Sequence, residues 1–274
     1  MRRPEESAGE PSDAGNELLV ERTDRVLTVT LNRPAKLNAF TLDMFAALID
    51  LGAQLRNDPT VRVVCFRGAG SRALAAGADI STFTEFTSGD DGVRYEATVA
   101  RALQAVSDLP QVTLAVIRGL AVGGGLALAT ACDLRIAGTG ARVGYPIAGT
   151  LGNCLSAPVL RRCVAVFGDS LVREMLLTAR LVDAQRAYAA GAINELADDD
   201  QLDAAVNALT TRLAGLAPGT QLATKRILAA LAAGEDPHDA DEMRKVYGSK
   251  DFAAAVQAFM SKGEPRFSAE LDLT

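Results

Sequence analysis

The chain has 274 residues, of which 49% are hydrophobic, and a formal net charge of −6. A chain of that length forms one large domain, or one domain with a small appendage. The net charge is negative and the sequence has no basic patch with interleaved aromatic residues, which argues against a nucleic-acid partner. No apolar run approaches the ~20 residues that span a bilayer, and no apolar signal segment follows the N-terminal arginines, so we expect a cytoplasmic protein with no membrane partner.

Strands and helices alternate along the first half of the chain, after a leader at residues 1–15 whose polar, Pro- and Gly-rich composition predicts disorder. Short apolar or alternating runs predict strands, and helical periodicity behind the capping residue Thr41 predicts a helix. The predicted elements are strands at residues 18–20, 26–31, 62–67 and 112–117 and helices at residues 41–56 and 93–106. This alternation is typical of an α/β core with parallel strands.

From about residue 157 onward the apolar periodicity is mainly helical. Helical segments are predicted at residues 159–167, 171–178, 184–190, 202–216, 220–233 and 252–261. We therefore divide the chain into the leader, a core at residues 16–200 and a helical C-terminal region at residues 201–274.

The cysteine and histidine content excludes several kinds of site. The four cysteines, Cys65, Cys132, Cys154 and Cys163, have no CxxC spacing, which predicts free, buried thiols in a reducing compartment. The single histidine, His238, lies in an acidic, turn-like segment and is expected at the surface. Zinc sites, haem sites and hydrolases with a Ser-His or Cys-His pair are therefore poor fits, and we expect no metal.

The segment GLAVGGGLALATACD, at residues 119–133, is the most informative part of the sequence. An apolar strand leads into three consecutive glycines and then into an alanine-rich helix. Because glycine is costly inside a helix, the three should lie at its first turn, where N–H groups lack intrahelical partners. Such a turn suits an oxyanion hole, which stabilises negative charge on a carbonyl oxygen. A close strand–helix crossing that needs small residues explains the glycines equally well.

Five motifs follow one another in order between about residues 17 and 267. They are LNRPAKLNA (31–39), AAGADI (75–80), GLAVGGG (119–125) with ACDLRIA (131–137), TARLVDA (178–184) and FMSKGEPRF (259–267). In composition and order this series resembles the signatures of the crotonase superfamily, the enoyl-CoA hydratase/isomerase family.

The resemblance implies a fold, an assembly and a substrate. The fold would be a crotonase-like α/β spiral of ββα units, with a helical C-terminal trimerisation region that gives homotrimers or dimers of trimers. The substrate would be an acyl-CoA thioester, as in the β-oxidation of fatty acids, with coenzyme A as part of the substrate and no separate cofactor. The thioester carbonyl is expected between the backbone N–H groups of Ala78 and Gly124, in agreement with the oxyanion-hole interpretation of the glycines.

The same motifs carry the expected contacts to CoA. The substrate-binding residues implied by the resemblance are Lys36, Leu37, Ala39, Ala76, Gly77, Ala78, Asp79, Ile80, Gly124, Phe259 and Lys262. Phe259 and Lys262 are expected to contact the nucleotide end of CoA, either in the same subunit or from a neighbouring subunit. Ser81 stands where many relatives have a lysine, so one phosphate contact is expected to be missing. Asp79 is interpreted as a loop-bracing residue rather than an acid.

The sequence departs from the family pattern at both glutamates of a hydratase. The matching positions hold Ala127 and Ile147, and neither side chain transfers a proton. Between residues 109 and 168 the one carboxylate is Asp133, at a position that is normally structural. General acid–base catalysis typically contributes about 10²–10⁴-fold, so ordinary hydration should be weak.

The loop GTLGNCLS, at residues 149–156, holds the polar candidates for a replacement. Asn153 and Cys154 are the candidate catalytic residues, which would orient a substrate carboxylate, carbonyl or water, with Ser156 and the earlier Tyr145 nearby. Alternatively, the loop is a helix entry in which Asn153 or Ser156 serves as the cap.

Three functions are compatible with this pattern. The first is an acyl-CoA lyase of the hydratase/isomerase family, nominally an enoyl-CoA hydratase, with non-standard or weakened acid–base groups. The second is decarboxylation, thioester hydrolysis or isomerisation through the same enolate, and decarboxylation needs an oxyanion hole more than a strong base. The third is a non-catalytic acyl-CoA-binding protein. Acids at residues 85–96 could fold over the site, but the sequence does not place them.

Overall fold

The computed structural model describes residues 17–273, so the predicted leader at residues 1–15 lies outside the described residues. The strands of this part are β1 (Leu18–Thr23), β2 (Val26–Leu31), β3 (Val63–Gly68), β4 (Ala73–Ala76), β5 (Val112–Ile117), β6 (Leu120–Val122), β7 (Leu134–Gly138), β8 (Arg142–Gly144), β9 (Val182–Asp183) and β10 (Glu195–Ala197). The α-helices are α1 (Leu42–Leu55), α2 (Gly89–Ser107), α3 (Gly124–Ala131), α4 (Ala157–Thr178), α5 (Ala184–Ala189), α6 (Leu202–Gly215), α7 (Pro218–Ala233), α8 (Asp239–Tyr247) and α9 (Lys250–Met260). Within the described residues, no helix has both the length and the apolar composition of a membrane span.

The strands form two sheets that the chain visits alternately. The larger sheet has the order β1-β2-β3-β5-β7-β10 and is parallel except for β1. The smaller sheet has the order β4-β6-β8-β9 and is parallel except for β9. Each pair of consecutive strands (β3 and β4, β5 and β6, β7 and β8) is followed by a helix, α2, α3 or α4. The result is a spiral of ββα units, and the predicted α/β core with parallel strands is confirmed.

The larger sheet is covered on both faces, which explains its continuous apolar strands. On one face, Val64 and Phe66 of β3 belong to the main hydrophobic core, which also holds the buried faces of α1 and α2. On the opposite face, Cys65 packs in a second cluster with Leu202 and Val206 of α6. The helical C-terminal region therefore begins by closing the back of the core.

Most predicted helices and strands are found within a few residues of their expected ends, whereas the short strands β4 and β6 to β10 were not among the predicted elements. Three further differences concern helices. Helix α2 begins at Gly89 rather than near residue 93, because Ser88 and Asp91 form a capping box. The two segments predicted around Gly168 are joined in α4, where this glycine adopts a φ of 73° at the kink. Helix α8 was not predicted, because its sequence DADEMRKVY is short and mostly charged and resembles a loop in composition.

The cysteines are unpaired, as predicted, but they are not all buried. Cys65, Cys132 and Cys163 are buried, whereas Cys154 is exposed because its loop borders a surface cavity. His238 is exposed. Across residues 17–273, no three His, Cys, Asp or Glu side chains cluster closely enough to hold a metal ion.

The carboxyl ends of β4, β6 and β8 lie side by side at one edge of the smaller sheet. The register pairs Ala76 with Val122, and Val122 with Gly144. Beyond these positions the chain enters the 3-10 helix Ile80–Glu85, helix α3 and the 3-10 helix Pro146–Gly149. In parallel sheets, ligands bind in the crevice outside the carboxyl ends of the strands, so this edge is where a site is expected.

Candidate active site

The three consecutive glycines before α3 meet different neighbours. Gly123 has a φ of +53°, and a Cβ atom there would lie 3.2 Å from the Cα of Gly77. A Cβ atom on Gly125 would lie 2.2 Å from the carbonyl oxygen of Ala75, which is far inside van der Waals contact. A close strand–helix crossing therefore exists at Gly125, and it leaves the backbone of Gly124 free for another role.

The amides of Ala78 and Gly124 lie at equivalent places on neighbouring strands, each two residues beyond the paired Ala76 and Val122. A Cβ atom on Gly124 would lie 3.5 Å from the Gly77 carbonyl oxygen, so the two backbones are in close contact. Gly124 is the first residue of α3, where an N–H group has no intrahelical acceptor. Neither amide donates any of the backbone hydrogen bonds found in the turns and loops of residues 17–273. Two adjacent N–H groups are therefore available to a ligand.

These amides border a cavity of about 240 Å³, which we call the inner cavity. One side is formed by backbone at residues 76–78 and 122–124, and the other by residues 146–155 and by α2. An outer cavity of about 750 Å³ lies between the first half of α2 and residues 151–158. Both cavities are lined by Phe83, Tyr95, Glu96, Leu151, Asn153 and Leu155. The two cavities are therefore neighbours, and the six shared side chains lie at the boundary between them.

The two segments predicted to bind CoA run side by side. The Ala76 amide donates a hydrogen bond to the Leu37 carbonyl at 3.0 Å, and the Phe40 amide donates to the Gly77 carbonyl at 3.0 Å. The side chain of Lys36 is exposed at this edge. The fold therefore places the first motif directly beside residues 76–78 of the second motif, which line the inner cavity.

Asp79 braces the loop that follows β4. Its carboxylate accepts a hydrogen bond from the Arg33 guanidinium at 2.6 Å and others from the backbone amide and hydroxyl of Ser81 at 3.1 and 2.8 Å. Arg33 and then Ser81 lower the pKa of Asp79 to about 2. A carboxylate with so low a pKa is a poor proton acceptor at neutral pH, and its role here is to hold the loop.

The two positions that the resemblance assigns to the family's glutamates both line the inner cavity. Ala127 and Ile147 line it, and neither offers a group that exchanges a proton. Tyr145, a neighbouring polar candidate, is buried away from it, with its hydroxyl 3.1 Å from the Sγ atom of Cys163. Burial raises the pKa of Tyr145 well above its usual value. The expectation that Tyr145 lies near the reacting carbons is therefore wrong, because its ring fills the core.

The loop at residues 149–156 separates its polar candidates. Asn153 lines both cavities, whereas Cys154 and Ser156 line the outer cavity but not the inner one. The loop leads into α4 with Ser156 at the N-cap position, as the helix-entry alternative predicts. The Ser156 hydroxyl makes no capping hydrogen bond, so the expected side-chain cap is not formed by Ser156. The backbone amide of Ser156 donates instead to a carboxylate oxygen of Glu96, at 2.9 Å.

Glu96 is the functional candidate that the sequence did not place. It belongs to α2 and, of the described residues that line the inner cavity, it alone carries a carboxylate. The sequence did contain one indication of this position. Glu96 precedes the buried Val99 and Leu103 by three and seven residues, which puts a carboxylate on the apolar face of a helix.

The predicted C-terminal CoA contacts do not reach this site within the chain. Neither Phe259 nor Lys262 lines the inner or the outer cavity. Phe259 is 83% exposed at the end of α9. That Phe259 and Lys262 contact a CoA substrate stays a prediction, and it requires that they reach the site of another copy of the chain.

Comparisons with known proteins agree with the arrangement of sheets and cavity. The sequence profile of the Enoyl-CoA hydratase/isomerase family matches residues 21–270. The chain is 26% identical to the short-chain-enoyl-CoA hydratase of Clostridium acetobutylicum over 90% of this chain and 95% of that protein. It is 26% identical to the crotonyl-CoA hydratase of Syntrophomonas wolfei over 91% of this chain and 97% of that protein.

Among solved structures, an enoyl-CoA hydratase/carnithine racemase from Magnetospirillum magneticum superposes with a TM-score of 0.87. The sequences are 34% identical, and the match covers 94% of this chain and 97% of that one. The profile match, the relatives and the shared fold lead to one conclusion: the chain belongs to the enoyl-CoA hydratase/isomerase family of the crotonase superfamily.

Proposed function

We propose that this protein is an acyl-CoA enzyme that stabilises a thioester enolate between the backbone N–H groups of Ala78 and Gly124. The observation that carries the proposal is the pair of unpaired amides at equivalent ends of β4 and β6, beside the inner cavity. An enolate places negative charge on the thioester oxygen, and N–H donors that are already oriented stabilise that charge without reorganisation. Each donor contributes on the order of 3 kcal/mol to such a transition state.

The CoA moiety is proposed to lie along residues 36–39 and 76–80. The hydrogen bonds between these segments hold them beside the cavity mouth, where Lys36 is exposed to meet a phosphate. The 60% exposure of Ile80 leaves an apolar side chain at the same place for the substrate. Ser81 binds the Asp79 carboxylate and so supports the loop, in place of the lysine of many relatives.

The proposed reaction is nominally enoyl-CoA hydration, which the protein would carry out with non-standard or weakened acid–base groups. Ala127 and Ile147 line the inner cavity at the positions of the family's two glutamates. General acid–base groups typically contribute about 10²–10⁴-fold, so their absence should leave hydration slow. This same observation favours a second candidate that uses the same two amides. It is decarboxylation or isomerisation through the enolate, or thioester hydrolysis, whose tetrahedral intermediate carries its negative charge on the same oxygen.

A homotrimer, or a dimer of trimers, is the proposed assembly. Phe259 and Met260 at the end of α9 are 83% and 76% exposed, which is unusual for large apolar side chains that stay in water. Their burial against another copy would bring Lys262 to a neighbouring site. Light scattering after size-exclusion chromatography measures the mass directly, and a monomer at micromolar concentration would contradict the proposal.

The proposed function is tested with a panel of CoA thioesters. The panel contains short and long trans-2-enoyl, 3-enoyl, malonyl-type and saturated acyl-CoA, and chromatography with mass spectrometry separates hydrated, isomerised, decarboxylated and hydrolysed products. We expect one class of product well above the rate without enzyme, with hydration slow. Fast hydration would contradict the weakened acid–base arrangement, and binding without any conversion would favour a non-catalytic acyl-CoA-binding protein.

A further inference from the structure

We propose that Glu96 is the general base and acid of this site, which takes a proton from the substrate and gives it back. This proposal rests on the proposed function. The Glu96 carboxylate accepts a proton from the α-carbon of the bound acyl-CoA thioester and returns it to the acyl chain. The breaking C–H bond leaves its electron pair in the enolate, whose oxygen is held by the Ala78 and Gly124 amides. Return of the same proton to the α-carbon regenerates the substrate, and deuterium enters the substrate when the protonated Glu96 carboxyl trades its proton with D₂O before the return. Return to the γ-carbon of a 3-enoyl chain shifts its double bond.

The position of Glu96 is what first supports this role. It lines both cavities, so it lies at the boundary between them. The inner cavity that Glu96 lines is the one that the Ala78 and Gly124 amides border, so a thioester whose oxygen meets these amides places its acyl carbons in the same cavity as the Glu96 side chain. Ala127 faces the same inner cavity from α3. A carboxylate supplied by α2 therefore enters the space from which the family glutamate is missing.

The hydrogen bonding of Glu96 fixes its carboxylate and leaves it able to react. One oxygen, Oε2, accepts from the Ser156 amide at the start of α4, where the helix dipole favours negative charge. None of the ion pairs between described residues includes Glu96. Asp79 and Asp133 differ in this respect, since Arg33 and Lys225 respectively pair with them.

The aromatic side chains around Glu96 hold α2 in place over the cavity. The ring of Tyr95 lies 5.0 Å from that of Phe83 and 6.3 Å from that of Phe45, measured between centroids, in edge-to-face arrangements. Burial raises the pKa of the Tyr95 phenol, with a further contribution from Glu96. Tyr95 therefore stays protonated at neutral pH, so of these two neighbours Glu96 is the one that accepts a proton.

The test compares Glu96→Gln and Glu96→Ala with wild type. Glutamine keeps an oxygen that accepts the Ser156 N–H but accepts no proton from carbon, whereas alanine removes both functions. The assay incubates the full-length protein with trans-3-hexenoyl-CoA in D₂O, and mass spectrometry measures deuterium in substrate and product. Glu85→Gln is the matched control, because Glu85 is an exposed acid that lines neither cavity.

We expect Glu96→Gln to reduce exchange by about 10²–10⁴-fold, with butyryl-CoA affinity and the thermal unfolding midpoint close to wild type. Exchange by Glu96→Gln at the wild-type rate would overturn the proposal, because it would show that Glu96 only caps α4. If Glu96→Gln does not fold, Glu96→Asp replaces it. That variant withdraws the carboxylate by one methylene, and wild-type exchange there would also overturn the proposal.

The controls separate this proposal from the proposed function. A wild-type protein that binds butyryl-CoA but exchanges no deuterium overturns the role of Glu96 alone. A wild-type protein that neither binds butyryl-CoA nor converts any thioester of the panel overturns the proposed function itself. Loss of exchange in Glu85→Gln equal to that in Glu96→Gln would also overturn the specific role of Glu96.

Discussion

The two sides of the inner cavity are built from different parts of the chain. The backbone wall, residues 76–78 and 122–124, presents main-chain groups held by strand pairing and by the Gly125 crossing. The side-chain wall, formed by Tyr95, Glu96 and Val99 of α2 with residues 146–155, presents side chains from elements outside the sheets. The backbone wall matches the resemblance at every motif position, whereas the side-chain wall departs from it at Ile147.

This difference shows which side of the cavity keeps its chemical groups when residues are substituted. An amide N–H is supplied by every residue except proline, so the backbone wall survives substitution as long as the glycine geometry survives. A side-chain carboxylate is lost by a single substitution, and one can be supplied from another element that faces the same space. The charge-stabilising half of the site is therefore tied to the fold, and the proton-transferring half is not.

Removal of one amide from the backbone wall should have the largest effect. In Gly124→Pro the N–H is gone, while proline suits the first position of a helix. We expect kcat to fall by about 10²–10³-fold on the thioester that the panel identifies, as measured by steady-state kinetics. Gly124→Ala is the control: its Cβ would meet Phe40 at 3.1 Å, but its N–H remains. Equal losses in both variants would attribute the effect to bulk.

Glutamates introduced at Ala127 of α3 and at Ile147 of the side-chain wall should raise the rate of hydration. The double variant Ala127→Glu with Ile147→Glu is expected to hydrate crotonyl-CoA at least about tenfold faster than wild type, followed by mass spectrometry of the product. The increase in hydration rate should stay below the full contribution of two acid–base groups, because Ala127 is 2% exposed and a charged side chain there is poorly solvated. The matched control has glutamine at both positions, and an equal gain there would contradict proton transfer as the cause.

The two loop candidates should differ in their contribution. Asn153 lines both cavities, whereas Cys154 lines the outer cavity but not the inner one. We expect Asn153→Ala to lower kcat/KM by up to about tenfold, which is the value of one hydrogen bond, and Cys154→Ala to stay close to wild type. Steady-state kinetics of the two variants with the same thioester make the comparison. A larger loss for Cys154→Ala would place the reacting carbons in the outer cavity.

The smallest effect concerns the acid stability of the backbone wall. Arg33 and Ser81 lower the pKa of Asp79 from 3.8 to about 2 in the folded protein. The ionised form therefore stabilises the fold above the unfolded pKa, and this contribution is lost as the pH falls from about 4 to about 2. Urea unfolding across this range should show Asp79→Asn less stable than wild type at pH 5, with the difference shrinking toward pH 2. The exposed Asp50→Asn is the control, and the same pH trend there would contradict the assignment.

Much of the fold and the backbone wall could be predicted because the evidence is local. Alternating and continuous apolar runs placed β2, β3 and β5, and Thr41 caps α1 through its bond to the Met44 amide, as expected. Helix α8 was not predicted because it is only nine residues long and its mostly charged composition resembles that of a loop. The side-chain wall was predicted poorly: Tyr145 lies in the core and Ser156 does not cap α4 with its hydroxyl.

The sequence by itself determined the strand–glycine–helix turn, since a glycine triplet after an apolar strand has few conformations that its neighbours allow. It also determined that Ala127 and Ile147 carry no acid. Only the tertiary structure decided which carboxylate lines the inner cavity, because the packing of α2 against the loop at residues 149–156 joins positions 60 residues apart in the Glu96–Ser156 hydrogen bond. Helical periodicity shows which residues share a face of α2, but the surface that this face covers is set by the sheet beneath it.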